Sequence, residues 1–193
     1  MDGFERRKAR NKGSILRTVE ALIKKTDVSK ISVNDIALKS GVSPVTIYNL
    51  FGSRDQLIYA CIEVIMNRTM DHLRSIANDN KSYHEKIEDI FQWSMGMVDS
   101  LPKNANLGLL RDTHLQSLIN SGQEDRIKLM MKVINEGKDQ GFVNPDLSDY
   151  AIRVYLEILT QGIEVDTDLH SRLYYNPGLL HDVILIMLCG LKK

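Results

Sequence analysis

The stretch GVSPVTIYNLFGSRDQL, residues Gly41 to Leu57, decides the fold. Gly41 supplies a residue that takes the left-handed conformation a sharp turn needs. Ser43 is a helix N-cap, and Pro44 suits the first helical position, where no N–H is required. Ile47 and Phe51 are four apart and share one face of the short helix that follows. Gly52 ends that helix, and Ser53 with Gln56 signals the start of another. A helix so short and so closely fenced is held at one angle. Its inner residues belong to a small core. Its outer residues, Val45, Thr46, Tyr48 and Asn49, are left to touch something else.

Upstream, Ile15, Leu16, Val19, Leu22 and Ile23 recur at helical spacing and predict a first helix ending near Thr26-Asp27. Ser32-Val33-Asn34-Asp35 reads as a capping box, in which Ser32 accepts the Asp35 N–H and the Asp35 carboxylate reaches back. The helix it opens turns Ile36 and Ala37 inward and stops at Gly41. Two short helices joined by Gly41-Val42-Ser43 have the spacing of a helix-turn-helix. In such a unit the second helix meets DNA. Thr46 and Tyr48 offer hydroxyls to phosphate oxygens, and Asn49 can read a base edge. The helix N-terminus presents N–H groups to an anion. Downstream, Leu57, Ile58, Cys61, Ile62, Ile65 and Leu73 predict a long helix from Ser53 to about Ser75.

Charge supports this reading. The 193 residues carry no net charge, yet residues 1–60 hold eleven Lys or Arg against six Asp or Glu, and the remainder fourteen against nineteen. A head of about +5 on a body of about −5 fits a nucleic-acid partner for the head alone, or a solvated basic terminus.

With these residues in view, the chain resembles the TetR family of bacterial transcription regulators. The resemblance rests on Ile31-Ser32-Val33-Asn34-Asp35-Ile36-Ala37, Gly41-Val42-Ser43, Thr46-Ile47-Tyr48, Phe51 and Ser53-Arg54-Asp55-Gln56-Leu57, and it is close over about residues 10–60. Two positions depart from the family pattern. Leu50 stands where an aromatic or His is frequent, and Gly52 where a basic residue is frequent. The resemblance implies an all-α fold: an N-terminal three-helix helix-turn-helix head, about residues 1–55, joined by a long helix to a helical-bundle regulatory domain, about 56–193. It implies phosphate contacts at Thr46, Tyr48 and Arg54, with Ser43 as cap and further contact; together with Val45 and Asn49 of the outer face these are the expected DNA-binding residues. It further implies a homodimer on a palindromic double-stranded DNA operator, released by a small-molecule effector.

The remaining chain reads as helices at about 82–101, 105–120, 123–140, 148–167 and 177–192, punctuated by Pro102, Gly122, Gly141 to Pro145 and Asn176-Pro177-Gly178. In the last of these, Leu179, Leu180, Val183 to Leu188 and Leu191 nearly surround the axis. A helix apolar on all sides must be covered on all sides. Either its own chain covers it or a second copy does, and the family's dimer through residues 148–167 and 177–192 fits the latter.

No Gly-rich phosphate loop, HExxH or nucleophile motif is present, so the sequence offers no catalytic residue and no enzymatic reading. An enzyme or carrier keeping the head as a relic would need a constellation that is missing. Of His72, His84, His114, His170 and His181, none has a second His or Cys three or four residues away, so no metal site or cofactor is expected. His114 shares a stripe with Leu107, Leu110 and Leu118, either as a core or half-buried histidine with one satisfied hydrogen bond or as a polar anchor in a ligand cavity. Phe91, Trp93, Met97, Met131 and Tyr155 supply adaptable apolar surface, either as plain core or as the lining of a pocket for a lipophilic effector. A DNA-binding protein without an effector, acting in chromosome organisation or division, is the second reading. Cys61 and Cys189 sit in apolar helical patterns as reduced packing residues, as in a cytoplasmic protein. The longest apolar run, Val183 to Leu188, is far too short to cross a bilayer. No secretion signal is seen.

Overall fold

The computed structural model describes residues 2–99, 113–165, 172–173 and 176–191. They form helices, with no strand among the described residues: α1 (Gly3–Ile23), α2 (Val33–Ser40), α3 (Pro44–Phe51), α4 (Arg54–Asn78), α5 (Tyr83–Asp99), α6 (Thr113–Ser121), α7 (Gln123–Asp139), α8 (Asp149–Val165) and α9 (Pro177–Cys189). This is the all-α class the sequence predicts. Two compact units divide within α4, between Asn67 and Arg68.

In the first unit, Ile15 and Val19 of α1, Ile36 and Ala37 of α2, Ile47 of α3 and Leu57, Ile58 and Cys61 of α4 form one buried core, closed by Val28, Ile31 and Val33. Helix α1 begins well before its apolar stripe: residues 2–10 are exposed and carry Arg6, Arg7, Lys8 and Arg10. It ends at Ile23, a turn short of the expected Thr26-Asp27. There the Lys25 and Thr26 N–H groups both turn back to the Leu22 carbonyl, at 3.0 and 2.9 Å. Asp27 then caps a short 3-10 turn, Val28–Lys30, by accepting the Ser29 N–H. At the start of α2, the Asp35 N–H donates to Ser32 Oγ at 3.1 Å, as the capping box predicts. The Asp35 carboxylate takes the Ser32 hydroxyl at 2.5 Å rather than the backbone N–H.

In the second unit, Tyr83, Val133, Ile134, Val143, Ile152, Leu156 and Leu191 form the core with Ala77. The expected helices at 82–101, 123–140, 148–167 and 177–192 appear within a few residues of those bounds. That at 105–120 is seen from Thr113 onward, its earlier part lying outside the described residues, as do 100, 101, 166, 167 and 192. Gly137 makes close packing possible here: a Cβ on it would lie 2.7 Å from the Tyr83 ring and 2.8 Å from Val143. Burial of that ring pushes the Tyr83 phenol above its ordinary value of 10.0. Beside it Lys86, only 2% exposed, pairs with the Glu136 carboxylate and donates to the Ala77 carbonyl at 3.2 Å. The buried ammonium thus ties α5 to α7 and to the last turn of α4, where carbonyls favour a cation.

Candidate nucleic-acid interface

The joint between α2 and α3 sets the geometry. Gly41 lies at φ 72°, ψ 27°, in the left-handed region, and its N–H returns to the Ala37 carbonyl. Two residues later Ser43 caps α3: the Thr46 N–H donates to Ser43 Oγ at 3.1 Å, and the two hydroxyls lie 2.9 Å apart. Pro44 occupies the start of the helix. Ile47 is fully buried, with Leu50 and Phe51 packed against the same core. That burial turns Val45 and Tyr48 outward, 66% and 50% exposed, with Asn49 exposed beside them. Thr46 is half-buried at the edge of this face. The four outer residues read from the sequence are therefore on the surface of one rigidly capped helix.

Arg54, at the start of α4, sits differently. Its Nε donates to the Ile31 carbonyl at 2.7 Å, a second nitrogen donates to the Val28 carbonyl, and the third pairs with Asp55 at 2.7 Å. The guanidinium is thus a clamp on the chain entering α2, with two of its five N–H donors left over. Around it opens a cleft of about 370 Å³, lined by residues 29–34 with Tyr48 and Arg54. Its walls are the Ser29 and Ser32 side chains, Lys30, Asn34, and the first turn of α2, whose leading N–H groups have no intrahelical acceptor. Lys30 and Arg54 bring two cations to this cleft, while the Ser29 and Ser32 hydroxyls donate to the Asp27 and Asp35 carboxylates. Lys30 and Asn34 were not singled out in the sequence. The capping box, which follows Lys30 and contains Asn34, was the available signal. Nearby, Lys12 of α1 lies 5.9 Å from the Phe51 ring, adding a cation at the far end of α3.

The described residues among those expected to line an effector cavity have different neighbours within the second unit. Phe91 meets His181 of α9 edge-on, with ring centroids 5.0 Å apart. Trp93, two residues along α5, tilts against His72 of α4 at 5.2 Å. Two aromatics on one helix thus face different neighbours. Met131 is half-buried on the core. Tyr155 lines an apolar groove of about 200 Å³ with Leu147, Ala151, Ile152, Gly190 and Leu191, a lining that holds none of the other five. The side chain of Met97 lies outside the described residues. His114 corrects the expectation of a buried or half-buried histidine. It falls in the first turn of α6, where Thr113, Gln116 and Ser117 are exposed with it, and it is itself exposed. Leu107 and Leu110, its supposed stripe partners, lie outside the described residues. Among the described residues, no group of three or more His, Cys, Asp or Glu is arranged to hold a metal, and no helix is long and apolar enough to cross a membrane.

Comparison with known proteins agrees with this geometry. Residues 15–61 match the family model of bacterial regulatory proteins, tetR family. The chain is 20% identical over 174 residues to the HTH-type transcriptional repressor KstR2 of Mycobacterium tuberculosis, covering 86% of this chain and 82% of that protein. The solved structure of that ketosteroid transcriptional regulator superposes with a TM-score of 0.56 at 18% identity, over 94% of this chain and 95% of that one. A transcriptional regulator from Cytophaga hutchinsonii ATCC 33406 superposes with a TM-score of 0.70 at 15% identity, over 93% and 97%. At such identities the structural likeness establishes the fold: a helix-turn-helix head and a helical C-terminal region.

Proposed function

We propose that this chain, a transcriptional regulator of the tetR family, is a repressor whose homodimer binds a palindromic operator and is released by a small lipophilic effector. The observation that carries the DNA-binding part is the outer face of α3, exposed at Val45, Tyr48 and Asn49 over a fully buried Ile47. The cleft beside it supports a backbone phosphate as the anchor. An anionic oxygen there meets the Tyr48 hydroxyl, the spare N–H donors of Arg54, Lys30 and the leading N–H groups of α2. With the phosphate fixed, α3 lies in the major groove at a set angle, Thr46 and Ser43 at its rim and Asn49 toward the bases.

The dimer is supported by exposed apolar residues on the two helices expected to make it. Tyr150 and Ile158 of α8 stand 77% and 63% exposed, and Leu179, Leu185 and Ile186 of α9 are exposed as well. Tyr150, Val154 and Ile158 follow at four-residue spacing, one stripe on one face. Exposed apolar surface of this kind marks an interaction site. Two heads held by such a dimer would engage half-sites one helical turn apart, roughly 34–36 Å. Helix α4, continuous from the head into the second unit, is the element through which an effector would change that spacing. KstR2, named for ketosteroid regulation, supports a lipophilic effector class.

A second reading keeps the DNA-binding head without an effector, as in chromosome organisation or division. The different neighbours of Phe91 and Trp93, His181 of α9 and His72 of α4, favour it. One titration separates the parts. Anisotropy of the full-length chain on a selected duplex, at several salt concentrations, should show Tyr48→Ala weakening binding alike on all operator variants. Lys30→Ala should do the same, and should also flatten the slope of log affinity against log salt by about 0.9, the share of one neutralised phosphate. Unchanged affinity in Tyr48→Ala removes that residue from the site. Displacement by lipophilic compounds supports the first reading, and its failure across a broad panel the second.

A further inference from the structure

Helix α3, Pro44–Phe51, contains no charged residue at all. Successive residues turn by about 100° around a helix, so with Ile47 buried the outermost line of α3 runs between Val45 and Asn49, and Tyr48 and Thr46 flank it. Tyr48 borders the cleft with Arg54 and faces the phosphate side. Thr46 has its hydroxyl 2.9 Å from that of Ser43 and its N–H on the same oxygen, so it is engaged in the cap. Only Val45 and Asn49 are left to meet base edges.

Guanine is read in the major groove chiefly by Arg or Lys on O6 and N7, and cytosine by Asp or Glu on N4. Helix α3 offers neither. Every Lys and Arg of the head lies outside α3. A valine offers methyl groups, which suit the thymine C5-methyl, and an asparagine amide pairs with adenine N6 and N7. Val45 and Asn49 are four residues apart, about 6 Å along the helix axis, which spans about two base-pair steps at 3.4 Å each.

We infer that α3 reads A·T pairs: each operator half-site presents a thymine methyl to Val45 and an adenine edge to Asn49, within about two steps of each other. The inference rests on the DNA-binding reading above and specifies its substrate. Both side chains are exposed, so their replacement leaves the core intact.

The test begins with duplexes selected from a random library by the full-length chain. Deoxyuridine is then placed for each thymine in turn, which removes only the methyl, and 7-deazaadenine for each adenine, which removes only N7. At one thymine per half-site, deoxyuridine should weaken wild-type binding about fourfold, the worth of one buried methyl group. The same change should cost Val45→Ala less than the wild type, because the shorter side chain covers less of the methyl, and should leave Val45→Asn indifferent. At a neighbouring adenine, 7-deazaadenine should cost the wild type about fivefold, the worth of one hydrogen bond. It should leave Asn49→Ala indifferent. Selected half-sites with G·C pairs at their protected centre, or wild-type affinity insensitive to both analogues at every position, overturn the inference while leaving DNA binding in place. A library from which no sequence is enriched overturns the DNA-binding reading itself, and this inference with it.

Discussion

Replacing Arg54 by Met separates two roles that the sequence alone merges. Read from the family pattern, Arg54 is a phosphate contact. In the structure it also bridges the Val28 and Ile31 carbonyls, both on residues less than a tenth exposed. A hydrogen bond involving a charged group contributes about 1.5–3 kcal/mol, so two give about 3–6 kcal/mol. The side chain is 30% exposed, which lets water replace part of this. The pair with Asp55, itself 68% exposed, adds little. The expected cost of Arg54→Met is therefore about 2–4 kcal/mol, a large share of the roughly 5–15 kcal/mol that holds a domain. Arg54→Lys should recover only part, because one ammonium cannot reproduce a fork that reaches two carbonyls. Urea unfolding of the DNA-free protein by circular dichroism measures this, and the salt slope of DNA binding measures any phosphate role. A midpoint and slope of unfolding unchanged in Arg54→Met would refute the clamp. A lowered midpoint with an unchanged salt slope would mean that the clamp is its whole contribution.

Gly137→Ala should destabilise by about 1–3 kcal/mol, as overpacking does, because its Cβ would meet the Tyr83 ring and Val143 at under 3 Å; denaturant titration checks this, and a gain in stability would show that the ring yields. Ile186→Glu, at a position 70% exposed within one chain, should leave the fold intact and convert a dimer to a monomer in sedimentation. A wild-type chain that is monomeric at micromolar concentration would remove the proposed interface. Acid should weaken the second unit. Hydrogen bonds from Arg153 hold Glu124 below its ordinary 4.5, those from Ser82 do so for Glu85, and Lys138 holds Asp149 below 3.8. Each contributes stability above those values and loses it as pH falls through the lower folded ones. Thermal melts should therefore fall below about pH 4.5 and stay level between that pH and neutrality.

The head was legible because its signals are local. Ser32, Ser43 and Ser53 each cap a helix with a hydroxyl, Gly41 ends one in the left-handed region and Pro44 begins one, and each appears in the structure where the sequence puts it. Ile47 and Phe51 define the inner face by spacing alone. Arg54 was legible only in part, since its clamp reaches 23 and 26 residues back to carbonyls that no side-chain pattern announces. The second unit was harder for the same reason. Lys86 sits in a sequence that reads as solvated helix, yet it is buried by a carboxylate 50 residues away and by the end of α4. Phe91 and Trp93 suggested one pocket by their types, but a two-residue separation turns them about 200° apart on a helix, toward different neighbours. His114 followed its leucine neighbours in the pattern. Its place in the first turn of α6 left it in solvent.

The most direct measurement is selection of bound sequences from a random duplex library by the purified full-length chain. The expected result is enrichment of two inverted half-sites whose centres lie one helical turn or a multiple of it apart, abolished when Tyr48 and Asn49 are replaced together by Ala. Recovery of a library no different from the input, or the same enrichment from the doubly substituted chain, would contradict DNA recognition through α3.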